Sequence, residues 1–330
     1  MNDPTTLQDA IIYFSDPDRA LNYFAQHRWP NGPYCPECGR ADPTFLPTQR
    51  KWQCKSRHDH RQFSVKVGTI FEDSPLGLDK WLTVAWMIAN DKNGVSSYEI
   101  AKAIGVTQKT AWFMLHRIRK AMQTGSFLKK FGSGGSEVEA DETFIGGRGV
   151  NMHKSRKLRL NQVRSEQRGA QIYPGKTAVM GLLDREQRKV VATVIPDLKR
   201  DTLQGIVLNA VTEGTKFYTD QQAAYDGLDK HYIHEIVNHM EEYVRGRVHC
   251  NGMENFWSLL KRTLKGTYVA VEPYHLDRYL AEQVFRYNNR KTKDQNVNDA
   301  DRFQRVLSQV ADKRLTYAEL TGKAGERAAL

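Results

Sequence analysis

Three cysteines and a histidine tie residues 35–58 to a small set of structures. Cys35-Pro36-Glu37-Cys38-Gly39 has the form of a metal knuckle. Two thiolates converge on one ion, and the glycine accepts the unusual backbone angles of the turn. Sixteen residues after Cys38, Cys54 offers a third thiolate, and His58 and His60 follow it with two imidazoles. His58 is the expected fourth ligand, with His60 in reserve. A thioredoxin-like redox pair would need a βαβ pattern around the cysteines, and none is present. A tetrahedral zinc ion with four protein ligands has no position left for a substrate, so its role here is structural. Residues 62–71 alternate as a strand does and are expected to close the ribbon.

The remaining composition bounds the class of protein. The 330 residues allow two or three domains, and the single Cys250 beyond the knuckles leaves no disulfide framework. Hydrophobic residues make up 40% and charged residues 26%, as in an ordinary globular chain. The net charge of +11 favours a polyanionic partner, with nucleic acid the first candidate. No apolar run approaches the roughly 18 residues needed to span a bilayer. Met1-Asn2-Asp3-Pro4 has no signal-peptide character, and the chain is expected to be cytoplasmic.

Apolar spacing predicts helices over residues 16–29 and 78–88. A further pair runs from Ser96 or Ser97 to Ile104 and from Gln108 to about Met122, joined by Gly105-Val106-Thr107 with Thr107 as N-cap. Helix, short glycine turn and polar-starting helix form the helix-turn-helix pattern, although a plain αα-hairpin has the same outline. In the DNA-binding reading, Gln108 and Lys109 face base edges while Arg117, Arg119 and Lys120 serve phosphates. Gly132-Ser133-Gly134-Gly135-Ser136 reads as a linker.

Beyond it the pattern becomes mixed α/β. Residues 137–145 alternate as a strand, and 177–184 with 189–195 form a hairpin that continues the sheet. A helix over about 201–211, a short strand over 216–220, a further strand over 232–237 and a helix over 273–288 follow. Residues 148–176 carry eight Lys/Arg against one acid, Glu166; such a run is a solvated loop or an arm for phosphates. Lys154, Arg156 and Lys157 are its candidate contacts. The segment starting at Asn251 reads as a helix with Asn251 at its N-cap. Glu254 and Lys261 lie seven residues apart, about two turns, and share one face with Asn251 and Ser258. Asp141 falls in the first strand of this region and Asp220 at the end of the fourth. If those strands are neighbours, the two aspartates meet and Glu254 closes the site. Three carboxylates can hold two divalent cations about 3.5–4 Å apart, the arrangement used in phosphoryl transfer. Mg2+ prefers such oxygens to thiolates, so this site is separate from the zinc.

Five motifs in a fixed order make the chain resemble the IS1595 (ISXO2-like) family of insertion-sequence transposases over roughly residues 17–292. They are Cys35-Pro36-Glu37-Cys38-Gly39, the stretch from Phe63 to Ser74, Gly105 to Trp112, Ala140-Asp141-Glu142-Thr143-Phe144-Ile145-Gly146-Gly147, and Asn251-Gly252-Met253-Glu254-Asn255-Phe256-Trp257. The resemblance implies an RNase H-like core with a DDE triad, carried over as Asp141, Asp220 and Glu254. It also implies an N-terminal zinc ribbon, a helix-turn-helix and Mg2+- or Mn2+-dependent cleavage and 3′-OH strand transfer. The substrates would be the element's terminal inverted repeats and target DNA, bound by a homo-oligomer in the bacterial cytoplasm, on the nucleoid. Some members carry Asn in the third place, which keeps Asn251 as an alternative ligand. Lys261 falls where a basic residue touches the DNA backbone, and His239 and His249 fit the family spacing with their roles open. The expected division is a ribbon over 1–75, a helix-turn-helix domain over 76–131, a linker over 132–136, a catalytic domain over 137–292 and a helical tail over 293–330. The competing expectations are a non-catalytic DNA-binding regulator on the same scaffold and a related structure-specific nuclease.

Overall fold

The computed structural model describes residues 3–123, 130–133, 135–146, 154, 158, 176–220, 223–237 and 249–323. The chain divides into two compact units, one made of residues 1–124 and 289–330 and the other of residues 125–288.

In the first unit, helices α1 (Leu7–Phe14) and α2 (Pro17–Arg28) start at side-chain caps, Thr6 and Asp16. Such caps satisfy amide groups that the first turn leaves without partners. A small antiparallel sheet follows, with strands β1 (Thr44–Leu46), β2 (Lys51–Gln53) and β3 (Gln62–Phe63) in that order. The strand expected over 62–71 stops at Phe63. Gly68 takes φ +74°, and the segment turns, so that Val65, Ile70 and Phe71 are buried by a compact loop instead of by strand alternation. Alternation alone does not distinguish the two, because a tight loop can bury the same residues.

Helices α3 (Leu78–Asn90), α4 (Ser97–Ile104) and α5 (Gln108–Met122) complete the middle of this unit. Ser96 and Glu99 form a capping box at α4, Gly105 ends it in the left-handed region at φ +63°, and Thr107 caps α5. Two later helices, here numbered α9 (Asp299–Leu307) and α10 (Tyr317–Leu320), belong to the same unit. Phe303 is fully buried, and its ring meets those of Phe14, Tyr23 and Trp86. A residue of the helical tail expected over 293–330 therefore supplies part of this core.

The second unit is built on a five-stranded sheet. Its strands are β4 (Glu137–Gly146), β5 (Lys176–Asp184), β6 (Lys189–Ile195), β7 (Lys216–Asp220) and β8 (Ile233–Val237), in the spatial order β6-β5-β4-β7-β8. The first three pair antiparallel, while β7 and β8 join in parallel. One face carries Val138, Ala140, Met180, Leu182 and Phe217 against Leu203 and Val207 of α6 (Arg200–Ala210). The other carries Val179, Leu183 and Val190 against α7 (Asn251–Thr263) and α8 (Leu276–Asn288). Phe131, Gly132 and Ser136, expected in or beside a linker, are pinned to this unit. The Gly132 N–H and the Ser136 hydroxyl both donate to the buried Asp184 carboxylate, and Phe131 bridges Val211.

Candidate active site and metal centre

The zinc-type cluster is local in sequence and close in space. The ligand atoms of Cys35, Cys38, Cys54 and His58 all lie within 4.8 Å of one another. Cys35 Sγ is 3.5 Å from His58 Nε2, and Cys38 Sγ is 3.5 Å from Cys54 Sγ. Zn–S bonds of about 2.3 Å around a tetrahedron give edges of that order, so the donor set and spacing fit a structural zinc ion. Glu37 Oε2 stands 3.0 Å from His58 Nδ1, where a carboxylate behind the ligand ring can fix its orientation. His58 completes the cluster and His60 lies outside it.

The carboxylates come together through sheet register. In the parallel pair β4–β7, Val138 faces Phe217 and Glu139 faces Tyr218. Two residues further along each strand stand Asp141 and Asp220, on the sheet face that packs on α7. Across β4–β5, Asp141 pairs with Gly181. A Cβ at Gly181 would lie 2.2 Å from Met253 Cε and 2.7 Å from Trp257 Cζ2. Glycine therefore lets α7 approach the sheet closely enough for the Trp257 indole N–H to donate to Asp141 Oδ2 at 3.0 Å. Glu254 is one turn before Trp257 and is exposed.

Burial first, and then the Asp220 carboxylate, push Asp141 up to about 7; the Glu254 carboxylate adds to the shift. The Glu142 N–H and the Trp257 indole act in the opposite direction. Like charges near a carboxylate disfavour its ionised form, which is the sense of both contributions. Glu142, the next residue on β4, is half-buried on the α6 face. Its carboxylate accepts a hydrogen bond from Tyr225, and burial holds it at about 8, with Asp141 and Asp220 contributing.

Several residues of this site were not singled out from sequence. Glu139 is buried on the same sheet face as Asp141, and its carboxylate accepts from the Met253 amide at 2.9 Å and from Arg185 Nε at 2.7 Å. Arg185 also reaches Glu137 Oε2 at 2.9 Å and the His249 carbonyl, and its guanidinium lies 4.3 Å from the Tyr218 ring centroid. His249 thus belongs to this network. Asn251 is the first residue of α7 and not its N-cap; Cys250 occupies the cap without a side-chain bond. The available signal for Glu139 was a second acid two residues before Asp141, in phase with it on one strand. Asn251 is exposed and Lys261 half-buried.

The residues expected to contact DNA have different fates. Lys109 is exposed, with its ammonium 4.8 Å from the Tyr317 ring centroid. Gln108 donates from Nε2 to the Ser97 hydroxyl at 2.8 Å, and Lys120 is half-buried. Arg117 and Arg119 are buried, with 4% and 1% of their surface exposed, and cannot serve as surface phosphate contacts in this structure. Arg117 donates from Nε to the Leu315 carbonyl at 3.1 Å and from Nη2 to the Glu72 carbonyl at 2.6 Å. The guanidinium lies between aromatic rings, 4.9 Å from the Phe113 centroid and 5.9 Å from that of Trp81. The helix-turn-helix reading of α5 did not register that residues near Leu315 bond the Arg117 guanidinium. Lys154 is exposed, whereas Arg156, Lys157 and His239 lie outside the described residues.

Comparison with known proteins bears on both clusters. Residues 133–288 match the ISXO2-like transposase domain, and residues 15–59 match the transposase zinc-ribbon domain. Together these define a transposase-type chain with a ribbon ahead of its transposase domain. A protein of the transposable element ISH50 from Halobacterium salinarum is 29% identical over 262 residues, covering 77% of this chain and 85% of the relative. A transposase-like protein from Haemophilus influenzae is 32% identical over 108 residues, covering 32% of this chain and 87% of the relative. The chain belongs to the IS1595 (ISXO2-like) family of insertion-sequence transposases. Among the described residues, no helix is long and apolar enough to cross a membrane.

Proposed function

We propose that the protein binds the terminal inverted repeats of its element, cleaves the DNA strands there and joins the freed 3′-OH ends to target DNA, using Asp141, Asp220 and Glu254 as a DDE-type centre. One observation carries most of this reading: the parallel β4–β7 register sets Asp141 and Asp220 on neighbouring strands, under the helix that carries Glu254 and bonds Asp141 through Trp257. There burial first, then Asp220 and to a lesser extent Glu254 raise Asp141 to about 7. Converging carboxylates of this kind are relieved either by protons or by a cation. Their all-oxygen donor set suits Mg2+ or Mn2+, with Asp141 and Asp220 holding two ions and Glu254 the second. Bound there, the ions would supply Lewis-acid stabilisation of the attacking and leaving oxygens.

The protein's own groups perform the remaining tasks. Trp257 fixes the Asp141 carboxylate through its indole N–H. Lys261, two turns after Glu254 on α7, presents an ammonium to the DNA backbone. Asn251, one turn before Glu254, is the alternative third ligand. The strand order, with a three-stranded antiparallel start and two parallel additions, supports an RNase H-like core. The α4–Gly105–α5 arrangement supports a helix-turn-helix that offers Gln108 and Lys109 to base edges and Lys120 to phosphates. Arg117 and Arg119 take no part in this version. The basic stretch containing Lys154, Arg156 and Lys157 adds phosphate contacts. Functionally, residues 1–75 act as the ribbon domain, 76–131 as the helix-turn-helix domain and 137–292 as the catalytic domain. The chain acts as a homo-oligomer on double-stranded DNA in the cytoplasm, because two element ends must be processed together.

The test is cleavage of a repeat-end duplex in Mg2+, followed by joining of a pre-cut end to target DNA. The wild type is expected to do both and Asp141→Asn neither. Cleavage without joining would make the protein a nuclease, and unimpaired cleavage by Asp141→Asn would remove the assignment.

A further inference from the structure

We infer that Glu139 and Arg185 form a dock that positions the first turn of α7, and with it Glu254, against Asp141 before any metal binds; the inference rests on the carboxylate centre proposed above. A carboxylate buried as deeply as Glu139 is costly unless it is paired and hydrogen-bonded. Both of its oxygens are occupied, Oε1 by Arg185 Nε at 2.7 Å and Oε2 by the Met253 amide at 2.9 Å. It is therefore placed to hold a helix and not a metal ion.

The helix needs that support. Its N-cap residue, Cys250, makes no side-chain bond to the first-turn amides. Those groups require a partner from elsewhere, and a carboxylate also suits the positive end of the helix dipole. Glu139 supplies it from the strand that carries Asp141, two residues away. Gly252 permits the close fit, since a Cβ there would lie 2.8 Å from Glu139 Oε2 and 3.0 Å from Leu183 Cδ1. The second attachment is Trp257 to Asp141 at 3.0 Å. Glu254 lies between the two anchored residues, Met253 and Trp257.

Arg185 makes the dock compatible with an acidic site. It pairs with Glu139 and with Glu137, grips the His249 carbonyl just before the helix, and stacks on Tyr218 of β7. One guanidinium thus links β4, β7 and the entry to α7 while compensating the charge of Glu139. Without such a dock, repulsion from Asp141 would favour moving Glu254 away. Holding it in place is preorganisation in the physical sense, because the cost of bringing the acids together is met in folding and not at metal binding.

The experiment uses the full zinc-loaded chain without DNA and titrates Mn2+ alone, following free Mn2+ by electron paramagnetic resonance. Hydrogen exchange at the first turn of α7 is measured in the absence of Mn2+. Glu139→Gln keeps the shape but loses the charge. It is expected to remain folded, weaken Mn2+ binding by about 10-fold or more, as loss of outer-shell support does elsewhere, and accelerate exchange around Met253 and Glu254 but not in α8. A lowered melting temperature with unchanged Mn2+ affinity would make the contribution purely structural and overturn the inference. Folded Glu139→Gln with wild-type affinity and wild-type exchange overturns the inference. If that variant does not fold, Arg185→Lys decides: retained Mn2+ affinity overturns the dock and weakened affinity supports it. Should wild type and Asp141→Asn bind Mn2+ alike, the metal-centre reading itself fails and the dock falls with it, an outcome separable from a failure of Glu139 alone.

Discussion

The two clusters solve opposite problems. The Cys35, Cys38, Cys54 and His58 group collects its ligands from 24 consecutive residues, and its atoms already stand at metal-ligand spacing. Asp141, Asp220 and Glu254 come from two strands and a helix spread over 114 residues of the chain, and their charges repel. A local turn builds the first cluster. The second requires a whole sheet, a glycine under Trp257 and a helix held down from both sides of Glu254. The comparison separates a zinc-type cluster that stabilises its fold from a carboxylate cluster, the metal centre proposed above, that the fold must hold together.

The largest expected effect follows from the zinc side. Removal of zinc, or Cys54→Ala, is expected to unfold the ribbon, since structural zinc contributes about 10–16 kcal/mol in small zinc-dependent peptides. Calorimetry should show the melting temperature of this unit falling by roughly 10 °C or more. The reverse is expected of Asp141→Asn in metal-free protein, where removing a repelling charge leaves stability unchanged or higher. If both substitutions destabilise alike, the contrast between the clusters is wrong.

Next in size is the pH dependence of the metal-free second unit. Folding raises Asp141 from 3.8 to about 7 and Glu142 from 4.5 to about 8, in both cases chiefly through burial. The folded state therefore holds protons that the unfolded chain releases. The stabilisation is complete below the unfolded values and is lost as pH rises through the folded ones. The melting temperature of this unit should fall from about pH 5 to about pH 8. Asp141→Asn should flatten the lower part of that fall, and saturating Mg2+ should reduce it. A melting temperature that rises over this range contradicts the assignment.

Gly181→Ala tests the close approach of α7. The added methyl would meet Met253 and Trp257 within 2.7 Å, and overpacking of this kind costs about 1–3 kcal/mol. Denaturant unfolding should detect it, and the Trp257 to Asp141 bond should weaken with it. The smallest effect separates two basic residues of α5. Lys109→Ala is expected to lower the salt dependence of DNA binding by about one phosphate contact while leaving stability nearly intact. Arg117→Ala should do the opposite, because its guanidinium is bonded inside the unit and not presented to solvent.

The sequence made these regions legible to different degrees, for physical reasons. The zinc ligands could be read from spacing because a knuckle is made by neighbouring residues. The capped helices α4 and α5 were equally clear, since Ser96, Gly105 and Thr107 act locally. The meeting of Asp141 and Asp220 required a guess at strand order, which the β4–β7 pairing then provided. Other features depended on contacts between distant segments. The burial of Arg117 comes partly from Leu315, 198 residues away, and the support of α7 comes from Glu139, 114 residues before Met253. The strand expected over 62–71 failed for a related reason: a loop with Gly68 at positive φ buries the same apolar residues that a strand would. Helical and strand periodicity indicate that a residue is apolar or charged in phase; they carry no information about which remote segment will cover it.

The most direct test of the central claim is a crystal of the full chain soaked in Mn2+ and measured for anomalous scattering. The expected result is a peak bounded by Asp141, Asp220 and Glu254, with Asn251 outside its coordination shell. A peak that engages Asn251 in place of Glu254 would move the third ligand by one helical turn. No peak between Asp141 and Asp220 would contradict the account.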